Sequence, residues 1–347
     1  MQSQELLKCM VSAWYPRFRD VTFRTQLVDL PEEFVAFLVE DGVSLAENSA
    51  ALPRRARADE FADVDEYQEW DEADVDQAEA ATQVENWPEL MRRISDAITE
   101  LGGQVIPKLS WSVPKDATWI SANKSLICEN AEEVVLLLKS SDRIAHDICH
   151  AFDGCTAPPC PPPKHTLALR KAYDLKPERE FRCFVKGNDL IGVSQRDITS
   201  YYPQLRAQQE ELMEIILEFF EEHLEHRFPS ADYVVDLYVA TNGKVRIVDF
   251  NPPGGTTSPL LFSWEELAYA SPQAPPELAS SSFPQPCSSS GILDFRIITE
   301  PINIQPHSTA YAMPYDLVDS APGSAVNELM RQARDADGLF AAMPAEE

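Results

Sequence analysis

Positive charge is scarce in this chain. Its 29 Lys and Arg residues are outnumbered by 57 Asp and Glu residues, so the formal net charge at pH 7 is −28. A protein that binds nucleic acid directly presents a basic surface to the phosphates, and this charge balance argues against such a surface. The excess of carboxylates instead favours a partner that carries positive charge.

Long apolar runs are also missing. No stretch approaches the roughly 18 apolar residues that a membrane-spanning helix requires, so no membrane span is predicted. The first residues, MQSQELLKCMVSAWYPRF, lack the basic and then apolar segments of a signal peptide. Seven cysteines at irregular spacing, without a CxxC pair, are typical of reduced thiols and do not predict a zinc site. We therefore expect a cytoplasmic protein, and we expect it to be a monomer.

Two common nucleotide-binding motifs are absent as well. The chain has neither the GxxxxGK(S/T) sequence of a P-loop nor the GxGxxG fingerprint of a Rossmann fold. A nucleotide site in this chain would have to be built in another way.

The most informative stretch that is present is DYVVDLYVATNGKVRIVDFNPPGG, at residues 232–255. It predicts a β-hairpin, because Asn242-Gly243 separates two runs rich in β-branched residues. A loop of two or four residues at this turn places Asp236 opposite Asp249. Because side chains alternate between faces along a strand, Asn251 lies on the same face.

Two carboxylates that face each other on an apolar strand pair would repel and would lose solvation. A positive group is therefore expected beside Asp236 and Asp249. One interpretation is Mg²⁺, which prefers carboxylate and amide oxygens and completes its shell with water and phosphate. The other is an ordinary ion pair with Lys or Arg.

A second hairpin is predicted in EFRCFVKGNDLIGVSQRD, with its turn at Gly187-Asn188. We expect Glu180 to face Gln195, with Arg182 on the same side of the strands. A strand face that carries Glu, Arg and Gln is typical either of a ligand pocket or of an ion-pair network.

Basic residues precede both hairpins. Lys108 lies inside the apolar strand QVIPKLSW, Lys115 follows in a loop, and Arg170 and Lys171 lie in the strand TLALRKAYDL. Cationic side chains for phosphates, together with the carboxylates for a metal, describe a nucleotide–Mg²⁺ site. This arrangement resembles the ATP-grasp fold, an α+β fold in which two lobes with antiparallel sheets close on ATP.

Composition divides the chain further. Residues 59–85 contain twelve Asp or Glu and no Lys or Arg, which predicts either a solvated disordered insertion or a segment that attracts a basic partner. The domains predicted are an N-terminal strand–helix part (1–57), the acidic insertion (58–85), a first lobe (86–165), a second lobe with the nucleotide and metal site (166–270), a flexible linker (271–291) and a tail that packs on the body or on a partner (292–347).

Several segments resemble the cell division cycle protein 123 family. They are SAWYPRFRDVTFR, GGQVIPKLSWSVPKDATWI, LLLKSSD, LALRKAYDLKPEREFRCFVKGNDLIGVSQRDITSYY and VVDLYVATNGKVRIVDFNPPGG. The resemblance implies an ATP-grasp chaperone that binds the gamma subunit of translation initiation factor 2 and promotes its assembly with the alpha subunit. It thereby implies a role in translation initiation and cell cycle progression.

The resemblance also implies roles for individual residues. Lys108 matches a lysine that contacts ATP phosphates, and Arg170 and Lys171 fall in the strand that lines the nucleotide. The pocket residues implied are Glu180, Arg182 and Gln195, and the magnesium ligands implied are Asp236, Asp249 and Asn251. The chain departs from the family pattern at Ser110, at Lys115 and at Pro253-Gly254-Gly255.

Two other functions stay open. The same nucleotide site would serve an ATP-grasp ligase that joins a carboxylate to an amine or modifies a protein, although no sequence feature marks an acceptor pocket. A pure interaction protein with a degenerate site would use its acidic surface alone.

Overall fold

The computed structural model describes residues 1–40, 87–121, 123–269 and 294–301. The acidic insertion predicted at 58–85, the linker predicted at 271–291 and most of the tail predicted at 292–347 lie outside these residues. Within the described ranges, no helix has both the length and the apolar character needed to cross a membrane.

Helices and strands alternate irregularly along the chain, as in an α+β protein. The helices are α1 (Ser3–Lys8), α2 (Val11–Phe18), α3 (Glu32–Val39), α4 (Pro88–Glu100), α5 (Ala131–Lys139), α6 (Asp142–Cys149), α7 (Pro203–His223) and α8 (Trp264–Tyr269). The strands are β1 (Thr25–Asp29), β2 (Val105–Leu109), β3 (Thr166–Lys171), β4 (Glu180–Lys186), β5 (Asp189–Gln195), β6 (Tyr233–Val239), β7 (Val245–Asn251) and β8 (Asp294–Arg296).

The first sheet has the strand order β1-β3-β2, and both pairings are antiparallel. Val105, Leu109, Leu167 and Leu169 point to one face, because apolar residues alternate along β2 and β3. They form a core with α3, α4, α5 and α6. Since β3 pairs with β1 and β2, this sheet extends to Lys171, beyond the lobe boundary predicted at residue 165.

The second sheet has the strand order β7-β6-β4-β5-β8. Its pairings are antiparallel except that of β8, which lies parallel to β5. One face is apolar and packs against the buried side of α7 and against Trp14 and Phe18 of α2. The opposite face carries the polar residues of both hairpins, so the predicted site lies on the side of the sheet that α7 does not cover.

The β6–β7 hairpin has the predicted pairing of Asp236 with Asp249 and of Val234 with Asn251. Its turn is longer than predicted: Val239 pairs with Val245, which leaves a five-residue loop at 240–244. A β-bulge after Asp236 then shifts the register by one residue and brings the two aspartates opposite each other. The predicted pairing is therefore confirmed, although the predicted loop lengths were wrong.

The β4–β5 hairpin has the predicted turn at Gly187-Asn188, but its far end is out of the predicted register. A bulge between Phe184 and Val185 shifts the pairs, so that Gln195 lies opposite Phe181 and Arg182 lies opposite Ser194. The predicted pairing of Glu180 with Gln195 was wrong for this reason. A shift of one residue moves a side chain to the other face, so Gln195 shares the face of Phe181, which packs in the core under α7.

Candidate functional site

The two sheets meet at a buried ion pair. The Lys108 ammonium on β2 lies 2.8 Å from Asp249 Oδ2 on β7, with the two side chains 3% and 19% exposed. Lys108 also donates to the Trp111 carbonyl. Ala168, the partner of Lys108 in the first sheet, packs in the core of the second sheet. Lys108 therefore points from the first sheet into the second, as an interior lysine that meets a fixed anion.

A second cross-sheet contact uses the bulge of β7. The extra residue there is Val248, and its carbonyl accepts a hydrogen bond of 2.8 Å from Arg170 Nη1. Within the described part of the chain, Arg170 Nε and Nη2 are buried without a hydrogen-bond partner. Burial lowers the pKa of Arg170, although the Asp249 carboxylate acts in the other direction. The unpartnered Nε–H and Nη2–H groups can therefore donate hydrogen bonds to an anion that enters between the sheets.

Lys171 does not join this group. It follows Arg170 on β3 and therefore points to the opposite face, where a Cβ on Gly102 would lie 3.4 Å from its ammonium nitrogen.

Gln195 also lies outside this group of side chains. Its side-chain amide donates to the carbonyls of Asp197 and Ser200 at 2.6 and 2.8 Å, and its Oε1 accepts from the Ile298 backbone at 3.1 Å. Gln195 thus anchors a loop and the segment that follows β8.

Asp236 is held by two arginines. Arg182 Nε and Nη2 donate to its two oxygens at 2.7 and 2.8 Å, and Arg196 Nε lies 3.5 Å from Oδ2. Burial alone would raise the pKa of Asp236, but the two guanidinium groups outweigh it and hold that pKa below its usual value. Arg196 was missing from the predicted site. The sequence feature that could have identified it is its position directly after the predicted strand β5. In the structure its backbone N–H donates to the Glu180 carbonyl.

Lys115 and Glu180 lie close to each other and to Arg196. Lys115 begins a short 3₁₀ turn, and Glu180 begins β4. Burial, reinforced by the nearby Arg196, lowers the pKa of Lys115. Burial also raises the pKa of Glu180, in spite of the charge on Lys115. Burial therefore disfavours the charged form of both groups, as is common for residues in a ligand site.

Asp249 and Asn251 are the remaining predicted metal ligands. Among the described residues, Asp249 Oδ1 and Asn251 Nδ2 are buried without a partner; Asp249 Oδ1 can ligate a cation, whereas the amide nitrogen of Asn251 is a donor suited to an anion, and only its Oδ1 could ligate a metal. Asp236 has both oxygens bonded to Arg182, yet an ionised carboxylate offers about four lone-pair positions and can still ligate a cation. No cluster of three or more His, Cys, Asp or Glu in the described ranges could hold a metal unaided. The residues present therefore fit a cation that takes its remaining ligands from phosphate and water.

Comparison with known proteins identifies relatives along nearly the whole chain. The D123 family model matches residues 14–321. The "Translation initiation factor eIF2 assembly protein" of Xenopus tropicalis is 36% identical over 332 residues, which cover 95% of this chain and 96% of that protein. The protein of that name from Sclerotinia sclerotiorum is 40% identical over 288 residues, 80% of this chain and 69% of that protein.

Among solved structures, Cdc123 from Schizosaccharomyces pombe superposes with a TM-score of 0.63 at 31% identity, over 85% of this chain and 98% of that one. This overlap and the family match confirm the family that the sequence motifs indicated. The chain belongs to the D123 family, the family of Cdc123.

Proposed function

We propose that this protein binds ATP and Mg²⁺ between its two sheets and acts as a chaperone in the assembly of translation initiation factor eIF2. The observation that carries the nucleotide site is the cross-sheet cluster, in which Lys108 pairs with Asp249 while Arg170 keeps unpartnered N–H groups beside them. Cations from one sheet and carboxylates from the other, without a P-loop, are what an ATP-grasp site requires.

Each side chain has a role in this proposal. Lys108, Lys115 and Arg170 bind phosphate oxygens, since all three are basic and reach the space between the sheets. Asp236, Asp249 and Asn251 hold Mg²⁺, which when bound offsets phosphate charge. Arg182 keeps Asp236 ionised and oriented. Glu180 lies at the edge of the site beside Lys115.

The role in eIF2 assembly rests on the relatives. Proteins that align with nearly all of this chain are named as eIF2 assembly proteins. In our proposal the nucleotide-bound form binds the gamma subunit and promotes its joining with the alpha subunit, in the cytoplasm, and thereby supports translation initiation and the cell cycle. A ligand can favour that form only if it binds it more tightly than the alternative.

Isothermal titration calorimetry tests the nucleotide site. Replacement of Asp249 by Asn should abolish measurable binding of Mg·ATP, because it removes a metal ligand and the partner of Lys108. Asp96→Asn, on the exposed side of α4, is the matched control and should bind as the wild type does. Equal affinity in Asp249→Asn and the wild type would show that the site is elsewhere.

A pull-down tests the partner. Wild type should retain the eIF2 gamma subunit more strongly with Mg·ATP than without it, and Asp249→Asn should lose this difference. Release of ADP that requires an added carboxylate and amine would instead favour a ligase.

A further inference from the structure

The side chains between the sheets carry more positive than negative charge. Five cations surround three carboxylates. The cations are Lys108, Lys115, Arg170, Arg182 and Arg196, and the carboxylates are Glu180, Asp236 and Asp249. Arg143 and Asp147, both on α6, add one charge of each sign and leave this balance unchanged.

Burial disfavours the charged form of several of these groups. Burial and the neighbouring Arg196 lower the pKa of Lys115, and burial lowers that of Arg170. Burial also raises the pKa of Glu180. Because the cations outnumber the carboxylates, the cluster is unfavourable for any further cation without an anion between the sheets.

Lys108 holds one oxygen, Oδ2, of the carboxylate that a metal ion would need. Its ammonium lies 2.8 Å from Asp249 Oδ2 and is almost fully buried. An ammonium ion and a divalent cation that share one carboxylate repel each other strongly in a buried site. A cation can bind to Asp249 at low cost only after Lys108 has been drawn to another anion.

From these contacts we infer that the site excludes a free divalent cation and takes one only together with a nucleotide phosphate. The phosphate group attracts Lys108 and reverses the charge surplus, and the released Asp249 then accepts the metal. Thermodynamic linkage requires the converse: the cation strengthens nucleotide binding by the same factor. This inference rests on the proposed nucleotide site and specifies the order in which that site is filled.

The experiment uses Mn²⁺ as the probe for Mg²⁺ and follows its free signal by electron paramagnetic resonance. Without nucleotide, the full-length wild type should leave Mn²⁺ free. With the non-hydrolysable analogue β,γ-methylene-ATP, which itself chelates Mn²⁺, the protein should lower the free signal further than the analogue does alone. The variant Lys108→Met removes the ammonium at similar volume, and without nucleotide it should bind Mn²⁺ roughly tenfold or more tightly than the wild type, a typical coupling between sites.

Lys108→Arg is the matched control, because it keeps the positive charge beside Asp249. It should exclude free Mn²⁺ as the wild type does, and thermal unfolding of each variant shows whether it is folded. Equal Mn²⁺ affinity of wild type and Lys108→Met without nucleotide, with both folded and with the wild type binding the analogue, would overturn this inference alone. Failure of the wild type to bind the analogue would overturn the proposed nucleotide site and the inference with it.

Discussion

Asp236 and Asp249 face each other across β6 and β7, but they have different partners. Both Asp236 oxygens accept from Arg182, whereas Asp249 has one oxygen on Lys108 and one without a partner among the described residues. Breaking a buried pair by removing one partner costs about 3–5 kcal/mol. The Arg182–Asp236 pair, with two hydrogen bonds and side chains 6% and 8% exposed, is more firmly fixed than the Lys108–Asp249 pair, which has one hydrogen bond and an aspartate that is 19% exposed. Asp249 is thus the carboxylate whose partner can be exchanged. Strand pairing alone made the two residues look equivalent.

Asp147 on α6 supports the turn that positions Lys108. Its carboxylate accepts hydrogen bonds from the Ser112 backbone N–H at 2.8 Å and from the Ser112 hydroxyl at 3.0 Å. Ser112 directly follows Trp111, whose carbonyl accepts a hydrogen bond from Lys108. Burial raises the pKa of Asp147 to about 6, although the hydrogen bonds from Ser112 and the charge of Lys108 act against burial. The folded protein therefore keeps this carboxyl group neutral below about pH 6 and ionised above it.

This shift predicts a dependence of stability on pH. A carboxyl group with a raised pKa in the folded state stabilises the fold at low pH and loses this contribution as the pH rises through about 6. Asp147→Asn stays neutral, and its amide can still pair with Ser112. Between about pH 4 and pH 6 the wild type should lose up to about 3 kcal/mol of unfolding free energy relative to this variant.

Urea unfolding at a series of pH values measures this difference. Asp96→Asn on the exposed side of α4 gives the baseline for removing one carboxylate. If the difference between wild type and Asp147→Asn does not change across this pH range, Asp147 is ionised in the folded protein at every pH tested and the expected burial effect is absent.

At the scale of elements, the sequence predicted the strands better than their registers. Both hairpins and their turn residues could be recognised from Asn242-Gly243 and Gly187-Asn188. Each hairpin contains a bulge, however, and a bulge has no reliable local sequence signal. In one hairpin it compensated for the wrong loop length and preserved the pairing of Asp236 with Asp249. In the other it moved Gln195 to the opposite face.

Strand β3 offers a direct comparison of two neighbouring basic residues. Arg170 points between the sheets and Lys171 points to the side of Gly102. Arg170→Ala should weaken Mg·ATP binding about tenfold or more, because it removes a charge-assisted contact to phosphate. Lys171→Ala should change it less than about twofold, as expected for a partly exposed charge outside the site. Calorimetry on both variants measures the difference, and equal effects would contradict the assigned faces.

At the scale of the whole molecule, the contacts that build the site come from distant parts of the chain. Lys108 and Asp249 are 141 residues apart, and Arg170 and Val248 are 78 apart. Residue types could suggest that cations and carboxylates share a site, but no local pattern specifies which pairs form. That depends on how the two sheets are placed, which follows from the packing of α2 and β3 against the second sheet.

Because the proposed ligands lie between two sheets, nucleotide binding should stabilise the whole molecule. A ligand that binds only the folded state adds about 2.7 kcal/mol to the unfolding free energy at a hundredfold excess over its dissociation constant. Mg·ATP at that excess should therefore raise the melting temperature of the wild type. Mg²⁺ alone should have no effect if Lys108 occupies Asp249, and Asp249→Asn should show no rise with Mg·ATP, while Asp96→Asn should respond as the wild type does. Differential scanning calorimetry measures all four cases. A rise in Asp249→Asn equal to that of the wild type would mean that the nucleotide binds away from the contact between β2 and β7, since no other described carboxylate pairs with Lys108.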